Sequence, residues 1–320
     1  MRIRSIRLLS AVLLLIACLL ISCSRTEEPA PGPAPDTGSP ASGEQTGRDT
    51  HGTRDNSIRV LTPSADGGTV YTCDVSTIDA TNASEGYVMV NYTGTNPKVK
   101  LQITGPDQIV YSYDLHGDYE VFPLTAGDGV YTVTVSEDIA DDQYATALSQ
   151  EISVRLENTY GPYLYPNQYV SFTESSLAVA RAKELAASAD SDLDVVSAVY
   201  NYMITNFTYD YDKAASVTTG YLPVVDDVFS KNSGICFDYA AVMAAMLRSQ
   251  AIPTRLEVGF MGEVYHAWVS IYIKDMGWIN GIIEFDGKEW KLMDPTFAST
   301  SDSPQDFITE NSKYTTKFVY

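Results

Sequence analysis

Histidine, cysteine, tryptophan and basic residues are scarce in this chain, and each scarcity removes a class of function. The 320 residues include 3 His, 4 Cys, 3 Trp and 21 Lys plus Arg against 41 Asp plus Glu, a net charge of −20. So acidic a chain is unsuited to a phosphate backbone, which excludes nucleic acid as a partner. His51, His116 and His266 lie far apart, and no cysteine or histidine spacing is of the metal-ligand kind. No metal and no cofactor is therefore expected. Past the N-terminus, no apolar run approaches the roughly 20 residues that a spanning helix needs. Tyrosine, by contrast, is abundant at 22 residues, and hydrophobic residues make up 44%, enough for ordinary cores.

The N-terminus has the features of an export signal. Arg2, Arg4 and Arg7 precede a largely apolar run from Leu8 to Ile21. The run ends in Leu20-Ile21-Ser22-Cys23, which resembles a bacterial lipobox, where cleavage precedes a cysteine that becomes lipid-modified. Leu15-Ile16-Ala17-Cys18 fits the same pattern, but more apolar residues follow Cys18, whereas Ser24, Arg25 and polar chain follow Cys23. The expectation is a signal peptide over 1–22 and a lipid anchor on Cys23, which would tie an exported protein to a membrane. An uncleaved signal anchor is the alternative. Residues 23–57 are rich in Pro, Gly, Ser, Thr and Glu and cannot offset their ordering entropy by burial, so they read as a disordered linker that includes His51.

Two cysteines remain for the folded part, Cys73 and Cys236. An exported protein can pair such residues, yet pairing would remove Cys236 as a nucleophile. Cys73 shares a strand face with Tyr71 and Val75 and reads as a buried free thiol.

From 58 to 157 the pattern is β. Tyr87–Tyr92 is apolar and β-prone, and Val99–Ile103 and Gly129–Val135 alternate. Turn signals such as Gly94 to Pro97 and Ala126 to Gly129 separate the runs. Short strands at this spacing predict an all-β sandwich. It resembles, generically, the immunoglobulin-like modules that precede catalytic domains, either as spacer or as binding module. No chemistry is visible in it, and His116, ahead of Gly117-Asp118, reads as a turn residue.

From 158 to 320 the pattern becomes α+β. Helical spacing covers 174–187 and 192–207, the second with Ser191 as N-cap. A looser stretch over 208–227 leads to a third helix over 236–250, with Ala240, Met243, Ala244 and Leu247 toward the core and Pro253 beyond its end. Strands close the domain.

Three segments within it carry chemistry. Cys236 follows a flexible glycine at a helix start, where free N–H groups and a partial positive charge favour a thiolate and can hold an oxyanion. Its bland reading is a small core residue. His266 opens a strand in which Ala267, Val269, Ile271 and Ile273 form the buried face, so it points to whatever covers the other face. A lone histidine is more often structural. Asp294 ends a strand before Pro295 and, taken alone, is ordinary turn chemistry. Beside the His266 strand, the same carboxylate would hold one imidazole nitrogen and leave the other facing Cys236. The order Cys, His, Asp, with room for one or two elements between members, strengthens each reading.

The stretch from about 190 to 300 resembles the transglutaminase-like superfamily. The likeness is carried by Gly234-Ile235-Cys236-x-Asp238-Tyr239-Ala240, by Met246 to Arg255, by His266-Ala267-Trp268, and by Trp290 ahead of Asp294-Pro295-Thr296. Tyr209-Asp210 resembles the family's segment before the nucleophile. The resemblance implies a papain-like fold with Cys236 as nucleophile, His266 as base and acid, and Asp294 as its partner. It implies acyl transfer from a protein or peptide amide, hydrolytic if water accepts and transamidating if an amine does. Ala251 stands where the family commonly has glycine; if that site needs φ > 0, alanine costs about 1 kcal/mol. The backbone N–H of Cys236 is one expected oxyanion donor, with Tyr209 or Tyr221 as a side-chain donor. Tyr200, Tyr202, Tyr209, Tyr211 and Tyr221 either line a groove or simply pack. The competing function is a non-catalytic binding or adhesion module that uses the same fold.

Overall fold

The computed structural model describes residues 53–140, 143–280, 282–285, 290–293 and 314–320. Cys18, Cys23, His51 and Asp294 lie outside these residues. The described residues belong to one compact unit.

Eight strands come first: β1 (Val70–Thr72), β2 (Ser76–Asp79), β3 (Tyr87–Tyr92), β4 (Val99–Thr104), β5 (Val110–Asp114), β6 (Glu120–Pro123), β7 (Gly129–Ala140) and β8 (Gln143–Val154). They pair antiparallel as two sheets in the orders β1-β2-β3-β6 and β5-β4-β7-β8. Alternation explains how the sheets face each other. Val99, Leu101 and Ile103 of β4 and Tyr111 and Tyr113 of β5 are buried, while Lys100, Gln102, Ser112 and Asp114 point the other way. Tyr113 of one sheet meets Phe122 of the other with ring centroids 4.8 Å apart. Each such fully buried side chain contributes about 1.5–3 kcal/mol of transfer energy. Cys73 sits in the β1–β2 turn, half-buried rather than buried. Cys73 and Cys236 are both free, so the pairing alternative is not realised.

The second half holds α1 (Leu177–Ala186), α2 (Asp192–Asn206), β9 (Thr208–Tyr209), α3 (Tyr211–Ser216), α4 (Val225–Lys231), β10 (Ser233–Gly234) and α5 (Cys236–Arg248). The strands β11 (Thr254–Met261), β12 (Val264–Ile273), β13 (Gly277–Asn280), β14 (Ile282–Phe285), β15 (Trp290–Met293) and β16 (Tyr314–Val319) follow. They form a sheet of order β13-β12-β11-β16 and the hairpin β14-β15.

Helix starts follow their caps. Ser191 and Asp194 make the reciprocal capping pair at the head of α2. The first N–H of α1 is capped from a distance by Asp226, at 2.9 Å. The stretch 208–227, expected to be loose, contains β9, α3 and the start of α4. These elements are too short to show a helical or strand period.

Helix α5 is the centre. The sequence pattern suggested one buried stripe, yet every residue from Asp238 to Arg248 is buried. Helices α1, α2 and α4 and strands β11 and β12 all pack against it, and alanines 240, 241, 244 and 245 permit close approach. Arg248, buried within its last turn, donates to the carbonyls of Thr254, Tyr165 and Tyr320 at 2.8–3.0 Å. Burial pulls its pKa below the ordinary guanidinium value. Ala251 has φ +57°, as the glycine-like position required.

The two halves are joined by aromatic and polar contacts. Tyr113 stacks on Tyr169 at 5.6 Å, and Tyr169 meets Phe237, the neighbour of Cys236, at 5.4 Å. Gln168 donates to the Asp114 carbonyl and to Glu120, both at 2.7 Å. The linker expected to reach residue 57 ends earlier. Arg54 pairs with Asp192 at 2.6 Å, Thr53 N–H donates to Asp190, and Asn56 donates to the Ala189 carbonyl. Polar composition hid this because the attachment is made by charges at the capped start of α2.

Candidate active site

Local chemistry sets the position of Cys236. Strands β9 and β10 pair in parallel, with Gly234 opposite Tyr209. This brings Tyr209 alongside the turn into α5. Cys236 is the first residue of that helix, half-buried, at the end where the N–H groups lack intrahelical partners. Asp238, two residues on, is fully buried, and its carboxylate accepts the Ile235 N–H at 2.8 Å. Gly234 is required for this approach, since a Cβ there would lie 2.5 Å from that of Asp238.

The Asp238 carboxylate also ties down the segment that follows β9. It accepts from Lys213 Nζ at 2.6 Å and from the Tyr221 hydroxyl at 2.5 Å. Lys213 lies 4.3 Å above the Tyr221 ring. A buried carboxylate, a lysine and a tyrosine thus lock the chain between α3 and α4 onto the start of the Cys236 helix. Burial, then the bond to Asp238, raises the Tyr221 pKa. Its hydroxyl is already committed to that carboxylate, which removes it from the expected oxyanion donors. Tyr209 remains, half-buried on the cavity wall. Burial first and the nearby Cys236 second push its pKa up to about 12, so it is a neutral O–H donor near neutral pH.

His266 is the third residue of β12, which begins at Val264 rather than at the histidine. It stands directly opposite Gly259 of β11. A side chain at Gly259 is impossible here, because a Cβ would lie 2.1 Å from the Thr315 carbonyl of β16. The apolar face expected on this strand is buried, and the face that carries His266 is covered as well. Ala267, Val269 and Ile271 are buried, but so are His266, Trp268 and Ser270, because both faces of the strand are covered. Only the first residues, Val264 and Tyr265, are exposed. Burial first and the proximity of Cys236 second raise the Tyr265 pKa.

Cys236 and His266 line one cavity of about 550 Å³. Phe237, Tyr209, Tyr221 and Tyr265 share its wall, and so do Lys100, Ser112, Asp114 and His116 from the first half of the chain. The geometry offers a thiol at a helix N-terminus and an imidazole around a common space, with hydroxyl donors beside them. Asp294 follows directly on β15, outside the described residues. Tyr200 and Tyr202 pack in the helical core, Tyr202 stacked against Phe229, and Tyr211 is exposed. Two features escaped sequence reasoning. Asp238 was signalled by its place at the third helical position after a glycine. The wall from β4 and β5 carried no local signal, and His116, read as a turn residue, is part of it.

A family model described as "Transglutaminase-like superfamily" matches residues 179–281. The match contains Cys236 and His266 and ends before Asp294. The Bacillus subtilis protein YebA is 25% identical over 202 residues, 54% of this chain and 26% of that protein. A Pseudomonas aeruginosa protein-glutamine gamma-glutamyltransferase is 33% identical over 76 residues, 19% of this chain and 11% of that protein. The chain thus aligns with about a quarter or less of the length of these curated relatives. Among solved structures, the periplasmic domain of TgpA from Pseudomonas aeruginosa bound to ethylmercury has a TM-score of 0.35 and 17% identity, over 74% of this chain and 78% of that one. Residues 179–281, the stretch that matches the transglutaminase-like family model, hold both the helix-borne Cys236 and the strand-borne His266.

Proposed function

We propose that the protein is a thiol acyl-transfer enzyme acting on protein or peptide amides, with Cys236 as nucleophile, His266 as general base and acid, and Asp294 as the residue that orients His266. The observation that carries this reading is that Cys236, at the N-terminus of α5, and His266, on β12, line one cavity. The Cys236 thiolate attacks the amide carbonyl carbon, and the carbonyl becomes an oxyanion held by the Cys236 N–H and the Tyr209 hydroxyl. The C–N bond breaks as the His266 imidazolium gives its proton to the leaving amine, which leaves a thioester. Water or a second amine, deprotonated by His266, then displaces the thiol. Water as acceptor makes the enzyme a peptidase or amidase, and this simpler outcome is the one we favour; an amine acceptor makes it a transamidase.

The cell-surface setting belongs to the same proposal: export, lipid attachment at Cys23, and an immunoglobulin-like module carried ahead of the catalytic part. Mass spectrometry of the mature N-terminus tests the anchor; a free N-terminus at any other residue refutes it.

Iodoacetamide labelling across pH tests the catalytic reading. Rapid labelling of Cys236 near neutral pH, slowed by His266→Ala and by Asp294→Ala, is expected. Cys236→Ala abolishes turnover. Slow labelling that neither variant changes refutes the catalytic reading in favour of a binding module.

A further inference from the structure

Strands β4 and β5 turn their odd-numbered residues into the core between the two sheets and present their even-numbered ones outward. Lys100 and Asp114 are register partners on that outward face, with Nζ and Oδ1 2.5 Å apart. Ser112 and Asp114 lie along it at two-residue spacing, and His116 follows just past the end of β5. This face is the far wall of the cavity that holds Cys236 and His266. Two contacts fix it there. Gln168 clamps the Asp114 carbonyl, and the segment ahead of Tyr221 returns to it so closely that a Cβ on Gly220 would lie 3.2 Å from Asp114 Oδ2. The segment that Asp238 locks by way of Tyr221 is therefore the same one that meets Asp114. A volume of about 550 Å³ falls in the range that encloses a drug-sized ligand, more than one amide side chain needs. Space thus extends from the thiol to the sheet.

We infer that Lys100 and Asp114 are specificity-determining residues of this site, reading the charge of the residues that flank the reacting amide in an extended polypeptide substrate. The inference rests on the acyl-transfer reading above. Their side chains are 34% and 39% exposed, open enough for a substrate charge to exchange with either partner. A basic flank takes Asp114, and an acidic flank takes Lys100. Because the pair neutralises itself, the net charge of −20 tips the native protein toward basic flanks.

The experiment compares dissociation constants of fluorescein-labelled glutamine peptides flanked by lysine or by glutamate, measured by anisotropy at low salt. It uses the full chain carrying Cys236→Ala, so that nothing turns over. Asp114→Asn should lower the preference for lysine-flanked over glutamate-flanked peptide by roughly two- to fivefold, and Lys100→Met should raise it by a similar factor, the range for partly exposed charge pairs. A merely structural pair would weaken both peptides alike. A ratio unchanged in both variants, or no peptide binding at all, overturns the inference. Each variant changes one side chain on an outward sheet face, and either one that folds decides the sign. Iodoacetamide labelling of the otherwise native chain runs in parallel. Slow labelling strikes the acyl-transfer reading by itself, while the affinity ratio still decides whether this wall reads charge.

Discussion

Replacing Asp238 by asparagine isolates the charge that anchors the head of the nucleophile helix. The carboxylate is fully buried, and its Oδ2 receives both the Ile235 N–H and Lys213 Nζ while Oδ1 receives the Tyr221 hydroxyl. Asparagine keeps the shape, and its single carbonyl oxygen can serve the Oδ2 position. Its NH2 at the Oδ1 position cannot accept the Tyr221 hydroxyl, so that bond is lost, and the bonds kept at the Oδ2 position lose their charge assistance, about 1 kcal/mol for each affected bond. It also leaves the lysine cation without its partner. A fully buried ion pair broken on one side costs about 3–5 kcal/mol, but the Lys213 side chain is 27% exposed and recovers part of its hydration. The net expectation is a loss of about 2–3 kcal/mol, or about 4–12 °C in Tm at the 2–4 °C per kcal/mol usual for large domains. Calorimetry and urea titration read this directly. Adding Lys213→Met should cost less than the sum of the two single changes, with a coupling of about 1–2 kcal/mol. A Tm shift below about 1 °C, or strict additivity, would refute the view that this carboxylate and lysine act as one unit.

Other perturbations follow from the same geometry. Tyr209→Phe should lower turnover about 10²-fold, as the loss of an oxyanion donor does, yet leave the iodoacetamide rate of Cys236 unchanged, because alkylation forms no oxyanion; equal losses in both assays would show that Tyr209 only packs. Arg248→Lys should destabilise by about 2–3 kcal/mol in urea titration, since a lysine cannot reach carbonyls of three residues that a guanidinium fork spans and leaves buried acceptors unpaired; a cost under 0.5 kcal/mol contradicts this role. Stability should fall as pH rises above about 10. Burial, opposed by a bond from Tyr320, pushes the Tyr169 pKa up to about 12. Because the folded value exceeds the unfolded one, the native state binds the extra proton, and the contribution is intact below about pH 10 and declines by up to about 1.4 kcal/mol per pH unit up to about pH 12. Urea titrations at pH 9, 10 and 11 should show this slope, and Tyr169→Phe should make it shallower.

What the sequence by itself determined is local or periodic. Helix α2 begins where Ser191 caps it because a capping pair is a contact between near neighbours. The strand at Val99–Ile103 was legible because a two-residue period of apolar side chains has one way to be buried, and Tyr87–Tyr92 because a short apolar, β-prone run stands out between turn signals. Placing Cys236 at a helix start needed only the glycine before it and the apolar run after it, whereas the positive φ at Ala251 was only a condition raised by the family resemblance until the structure gave it. The lysine, tyrosine and carboxylate at the head of α5 were present in the sequence, but nothing in the spacing of 213, 221 and 238 says that they meet. Only tertiary structure decided that α5 is enclosed on every side, that both faces of the His266 strand are covered, and that residues 53–57 attach to the start of α2. It also decided where Lys100 and Asp114 lie, on the wall of the cavity. Alternation established that these residues point out of their sheet, but a strand's outward face looks like any solvated face until another part of the chain folds against it. Tyr169, Gln168 and the segment ahead of Tyr221, distant in sequence, turned that face into a wall of the candidate active site.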